Sequence, residues 1–251
     1  MKTKSVLLTA VTLLALSVGA HASLYSGNGN NDWGGAVGSG SLSVTDDGAN
    51  ITFSFTRGPA TLDNVLVLYL DTVAGGFSDT SPFNDDGDGA RSAISGYTSM
   101  GNSGSSGRSL MTFEPAFQPD YAVTFEGVFA SLFQLQAGDA YSHNWIGGTS
   151  QGGDDAPSFS VTVMLSDLGL TPGESFTLFG TYISTTGFRS AEAIAGDESG
   201  WDGWNSVSQT GFATYTTVPE PSATALIALA GFAGWIRRSA RCIHHAVPGI
   251  R

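Results

Sequence analysis

Between residues 23 and 219 this chain has no lysine and no cysteine, and only four arginines: Arg57, Arg91, Arg108 and Arg189. Without cysteine that stretch has no disulfide staple, no reactive thiol and no Cys-ligated zinc. Its one histidine, His143, excludes a multi-histidine metal centre. Charged residues are 13% of the 251, about half the usual share. Four basic residues stand against twenty-one acidic ones in 23–219, a net charge of about −17. Such a surface argues against nucleic acid as a partner, because phosphate recognition wants a basic face. No P-loop or dinucleotide fingerprint stands on a strand-to-helix turn. What the chain does have is 34 glycines, 41% hydrophobic residues and many short alternating runs.

Residues 1–22 read as a secretory signal peptide. Lys2 and Lys4 form a positive n-region, residues 6–18 an apolar h-region, and Ala20-His21-Ala22 an A-x-A cleavage site. The mature chain is expected to start at Ser23. A second apolar run covers residues 223–236, behind Pro219, Glu220 and Pro221 and ahead of Arg237, Arg238 and Arg241. Fourteen helical residues span roughly 21 Å, short of a hydrocarbon core of roughly 30 Å. The arginines fit the cytoplasmic side of such a segment, and Trp235 fits the interface.

The Pro219-Glu220-Pro221 triplet, the short apolar helix and the Arg237-Arg238 cluster, in that order and paired with a signal peptide, resemble the PEP-CTERM sorting signal of Gram-negative bacteria. The resemblance implies recognition by exosortase, a membrane-embedded cysteine transpeptidase. It also implies transient membrane insertion through the C-terminal helix, cleavage near the triplet, and release to the cell surface or the exopolysaccharide matrix. The expected organisation is a signal peptide at 1–22, an ectodomain at 23–217, a sorting signal with a short transmembrane helix at 218–241 and a cytoplasmic tail at 242–251. The tail is longer than is usual for that signal. Stretches of the middle, such as Val67-Leu68-Tyr69-Leu70-Asp71 and Phe188-Arg189-Ser190, are similar to a recurring ectodomain of PEP-CTERM proteins, which implies architecture and address but no reaction.

The ectodomain patterning predicts strands at 41–45, 49–56, 64–71, 110–113, 121–125, 130–135, 158–165, 175–184 and 211–217. Residues 49–56 alternate cleanly, with Ile51, Phe53 and Phe55 on one face; residues 64–71 are nearly all apolar and are expected to be central. Helical hints are confined to 166–170 and 190–194. Many short strands separated by Gly/Asp-rich loops predict an all-β fold, a single jelly-roll-like β-sandwich followed by the short C-terminal hydrophobic helix.

Three constellations carry candidate chemistry. Asn84, Asp86 and Asp88, followed by Gly89, have the alternating oxygens of the start of a calcium loop, but Ser95 stands where an EF-hand needs its last acid. Such residues also favour solvated turns. Asp154-Asp155 and the Asp197-Glu198 and Asp202 group are weaker cation candidates of the same kind. Trp33, Trp145, Trp201 and Trp204 lie in polar, Gly-rich surroundings, where an indole can stack on a sugar ring or cap the ends of the core. Gly148-Thr149-Ser150-Gln151-Gly152 matches a hydrolase elbow pattern, but no helix follows and His143 precedes the serine. The expectation is therefore a non-enzymatic structural or adhesive matrix protein, with calcium-assisted exopolysaccharide binding. The alternative is a carbohydrate-active hydrolase, which needs two carboxyl groups facing one another across a cleft.

Overall fold

The structure, a computed structural model, describes residues 21–99, 107–200 and 202–219. The signal peptide up to residue 20, Trp201, Glu220, Pro221, the apolar run 223–236 and the arginines Arg237 and Arg238 lie outside the described residues. Among those described, no helix is long and apolar enough to cross a membrane.

One sheet is a four-stranded antiparallel array of β1 (His21–Ser26), β2 (Ser41–Asp46), β3 (Asn50–Thr56) and β11 (Ser158–Met164), in that order. Period-two alternation decides which face is buried. Leu42 and Val44, Ile51, Phe53 and Phe55, and Phe159 and Val161 point inward, while serines and threonines cover the solvent face. β1 begins two residues ahead of the expected cleavage point, so a chain starting at Ser23 would keep only the four last residues of that edge strand.

The larger sheet runs β10 (Asn144–Ser150), β9 (Phe129–Gln134), β8 (Tyr121–Phe125), β4 (Val65–Asp71) and β12 (Ser175–Ile183). The far edge of β12 is shared by β13 (Arg189–Ile194) and β16 (Ala213–Thr216). Neighbouring strands in this sheet are antiparallel. Leu66, Leu68, Leu70, Val123 and Leu178 pack against the four-stranded sheet and form one core. Val65, Val67, Tyr69, Ala122 and Phe179 point the other way into a second core. β4 is thus covered on both faces, which is why its sequence is a continuous apolar run.

An outer layer covers that second face. It consists of α1 (Gly89–Ser95), the two-residue pair β5 (Tyr97–Thr98) and β6 (Gly107–Arg108), and a small sheet of β14 (Asp197–Ser199), β15 (Ser206–Thr210) and β7 (Leu110–Thr112). Asp88 caps α1 by accepting from Arg91 N at 2.9 Å, and Gly96 ends it at φ 59°. A Cβ on Gly96 would lie 2.2 Å from the Ser109 carbonyl, so the cap admits no side chain.

The fold is all-β with packed antiparallel sheets, as the patterning predicts, and the predicted strands up to 135 and at 158–165, 175–184 and 211–217 are strands here within two residues. The hint at 166–170 is a 3-10 turn, Leu165–Leu168. The hint at 190–194 is overturned: those residues belong to β13, because pairing with β12 and burial of Ala193 and Ile194 outweigh the helical preference of Ala and Glu. α1 was not foreseen, since its Gly/Ser/Ala sequence has little helical periodicity.

Candidate functional site

The acidic turn 84–89 is organised around its least regular member, Asp85. Its carboxylate is fully buried and accepts from Tyr141 N at 2.6 Å, His143 N at 2.8 Å and Gly87 N at 3.1 Å, with Arg91 Nε at 3.4 Å. The three expected calcium oxygens are directed to three different partners. Asn84 Oδ1 accepts from Arg108 Nη2, Asp86 accepts from Ser99 N at 2.7 Å and from the Ser99 hydroxyl, and Asp88 accepts from Arg91. The Ser99 hydroxyl bond holds the Asp86 pKa below the usual carboxylate range. Among the described residues no three His, Cys, Asp or Glu side chains are grouped to hold a metal. Of the weaker candidates, Asp197 accepts from Asn28 Nδ2 at 2.8 Å, and the Glu198 side chain is buried beside Arg189 at 4.0 Å.

His143 is not free for proton transfer. It is 1% exposed, its Nδ1 accepts from Gln136 N at 3.2 Å and its Nε2 lies 3.2 Å from Ser95 Oγ. Ser150 of the hydrolase-like pattern sits instead on β10, the sheet edge, with no nucleophile elbow around it.

The tryptophans divide. Trp33 is partly buried, edge-on to Tyr182 at 5.4 Å and stacked with Phe188 at 6.0 Å. Trp204, 40% exposed, meets Phe188 edge-on at 5.6 Å and donates its indole N–H to Thr186 O at 3.3 Å. The three rings, with Asn64, Ser184 and Thr186, line a cleft of about 490 Å³. Sequence reasoning had Trp33 and Trp204 but not Phe188, which joins them across 171 residues of chain.

Trp145, half exposed, belongs to a second cleft of about 650 Å³, together with Phe129, Tyr141, Glu126, Asp88 and Arg91. A register shift in β10 between Trp145 and Gly147 re-aims the strand there. Tyr141 is 69% exposed at φ 66°, a left-handed conformation rare for an aromatic residue. Asp85, through Tyr141 N, holds it there, and the ring lies so close to Gly87 that a Cβ on Gly87 would be 2.7 Å from it. Arg91 is sandwiched near the Phe133 and Tyr141 rings, at 4.9 and 5.4 Å, and is paired with Asp85 and Asp88. Burial, and then the charge of Asp88, push the Glu126 pKa up.

One short rib separates the clefts. Thr185 lines the Trp145 cleft, while Ser184 and Thr186 on either side of it line the Trp204 cleft. The rib is closed by Ser184 N→Phe188 O at 2.8 Å and Gly187 N→Ser184 O at 3.0 Å, and Gly187 packs on the end of α1, where a Cβ would lie 2.7 Å from Gly96 C. Two aromatic-walled clefts thus lie on either side of a tightly bonded turn. No family model, no curated protein and no solved structure matches this chain.

Proposed function

We propose that this chain is an exported PEP-CTERM protein, cut by exosortase near Pro219-Glu220-Pro221, that serves as a non-enzymatic structural or adhesive component of the extracellular matrix and binds exopolysaccharide. Before processing it would be held in the membrane by residues 223–236, and afterwards it would be secreted or at the cell surface. Support for the address comes from the ordered sequence elements at the two ends. Support for a jelly-roll-like sandwich comes from the two packed antiparallel sheets.

The observation that carries the binding reading is the cleft of Trp33, Phe188 and Trp204. Aromatic walls with amide and hydroxyl groups between them match the two sides of a sugar ring, apolar C–H faces and equatorial hydroxyls. The hydrolase alternative asks for two carboxyl groups free to act across a cleft. Asp88, the neighbour of Glu126, is bound to Arg91 and to the first turn of α1, so we favour binding over cleavage. Calcium is left out of the proposal because protein donors occupy Asn84, Asp86 and Asp88.

Co-sedimentation with the exopolysaccharide of the producing organism tests the reading. The chain should pellet with the polymer and Trp204→Ala should lose most of that, with an unchanged melting temperature; polymer binding untouched by Trp204→Ala would remove the cleft from the account. Replacement of Pro219, Glu220 and Pro221 by alanine should leave the C-terminal segment attached, and normal processing of that variant would sink the sorting proposal.

A further inference from the structure

Glu126 is the odd group in the Trp145 cleft. It follows β8 at the turn into β9, is partly buried, and its carboxylate accepts no hydrogen bond from the described residues. Arg91, the one cation among the described residues that line the cleft, is engaged elsewhere, with Asp85 at 3.4 Å, with Asp88, and with the His143 carbonyl at 3.3 Å. Three carboxyl groups, Asp85, Asp88 and Glu126, stand near this one arginine, so the neighbourhood is acidic in composition even before the rest of the domain is considered. Phe129, Tyr141 and Trp145 line the same cleft, and the last two are well exposed. Glycine keeps the floor clear: a Cβ on Gly89 would lie 2.8 Å from the Thr185 methyl and 3.8 Å from Glu126 Oε1. Tyr141 is displayed at a left-handed backbone angle that is unfavourable for an aromatic residue and that its N–H bond to Asp85 holds, as expected where the side chain is needed outside.

We infer that the Trp145 cleft is a binding site for a protonated amine carried on a sugar ring, an amino-sugar unit whose ammonium pairs with Glu126 while its ring stacks on Trp145 and Tyr141. A neutral sugar can donate hydroxyls to Glu126 but gains no charge pairing there, and the strongest donor for its own oxygens, the Arg91 guanidinium, is already committed. An ammonium needs a carboxylate that no described residue engages and aromatic rings beside it, and Glu126 with Tyr141 and Trp145 supplies them. A volume of about 650 Å³ accommodates a ring with its neighbours in an oligomer. The net charge of about −17 on the ectodomain adds long-range attraction for a polyamine chain. The inference stands apart from the reading of the Trp204 cleft, since it uses other residues on the other side of the 184–187 rib.

The affinity should follow ionisation. Burial and the Asp88 charge raise the Glu126 pKa, with Arg91 and the Tyr141 hydroxyl the other titratable groups facing the cleft. Binding should therefore strengthen as pH rises from about 4.5 toward neutrality, before the amine itself deprotonates.

The test is equilibrium binding of the full chain, in mild detergent, to three tetrasaccharides of equal length: β-1,4-linked glucosamine, N-acetylglucosamine and glucose. The glucosamine tetramer should bind and the other two should not. Glu126→Gln and Trp145→Ala should each weaken that binding about tenfold. Asp155→Asn, which removes an exposed acid elsewhere, should leave it unchanged. Equal binding of the acetylated or neutral tetramer, an unaffected Glu126→Gln variant, or no binding of any tetramer would each overturn the inference. Trp204→Ala keeps the two clefts distinguishable: it should lose exopolysaccharide while retaining the glucosamine tetramer, whatever the fate of the sorting proposal.

Discussion

His143 presents its Nε2 to Ser95 Oγ at 3.2 Å inside the protein, with both side chains buried, so a pair that resembles part of a catalytic relay is a packing element. Gln136 N donates to Nδ1, which fixes the proton on Nε2 and the ring in its neutral form. The Phe83 ring, edge-on at 4.9 Å, completes the enclosure.

Burial pulls the His143 pKa down to about 4, with nearby Asp85 and Asp88 opposing and Arg91 assisting. Its folded value lies below the 6.5 of a free imidazole, so the unfolded chain binds more protons between those values. Stability from this site is present above pH 6.5 and is lost as pH falls toward 4, by about 3 kcal/mol in all. Denaturant melts of wild type and His143→Asn across that window should converge toward acid pH; parallel curves would show that the imidazole is not held neutral.

Glu198 behaves with the opposite sign. Burial raises its pKa from 4.5 to about 7, against the pull of Arg189 4.0 Å away and of the Thr181 hydroxyl that donates to it at 3.0 Å. One carboxylate oxygen, Oε1, has no partner among the described residues. The folded state holds the proton longer than the unfolded one, so stability falls as pH rises from 4.5 to about 7. Glu198→Gln should remove that decline and melt higher than wild type at pH 8, by about 1–3 kcal/mol of stability. A variant less stable than wild type at pH 8 would mean the Arg189 pairing outweighs burial.

Glu192 ties β13 to the loop 33–38. Its two oxygens accept four backbone N–H groups: Trp33 at 2.8 Å, Gly35 at 3.0 Å, Val37 at 2.8 Å and Gly38 at 3.0 Å. Glu192→Ala would strand these donors in a buried site, at more than about 3 kcal/mol. Glu192→Gln, which keeps one acceptor oxygen, should lose about half as much. Because Trp33 is anchored here, both variants should also loosen exopolysaccharide in the proposed cleft, read as a raised Kd at a temperature where the chain is still folded.

Tyr141 couples strain to exposure. Asparagine accepts the left-handed conformation more readily than tyrosine, so Tyr141→Asn should melt at or slightly above the wild-type temperature while weakening the glucosamine tetramer. A clear drop in melting temperature would make the ring a structural prop for Gly87 rather than a displayed wall.

The alternating 49–56 and the apolar 64–71 were legible in the sequence because side-chain period reports directly on burial, half-covered in β3 and fully covered in β4. β10 was not, since Asn-Trp-Ile-Gly-Gly-Thr-Ser has neither period, and an edge strand needs only one neighbour to exist. β13 was misread because Ser-Ala-Glu-Ala-Ile carries helical preference, and the acceptors that Glu192 provides to a loop 154–159 residues away are invisible in a local window.

The sequence by itself determined composition, charge, the β class, and that 49–56 is covered on one face and 64–71 on both, since these rest on residue types and their spacing. It also supplied Trp33, Trp145 and Trp204 as aromatics of interest, but without saying which share a surface. Only the tertiary structure decided that Phe188 joins Trp33 to Trp204, that Trp145 shares its cleft with Glu126 instead, and that Asn84, Asp86 and Asp88 turn to separate partners. Those relations depend on strand pairing between distant segments and on the enforced conformation of single residues such as Tyr141, and both are set by the balance of buried contacts over the whole fold rather than by any neighbour in the chain.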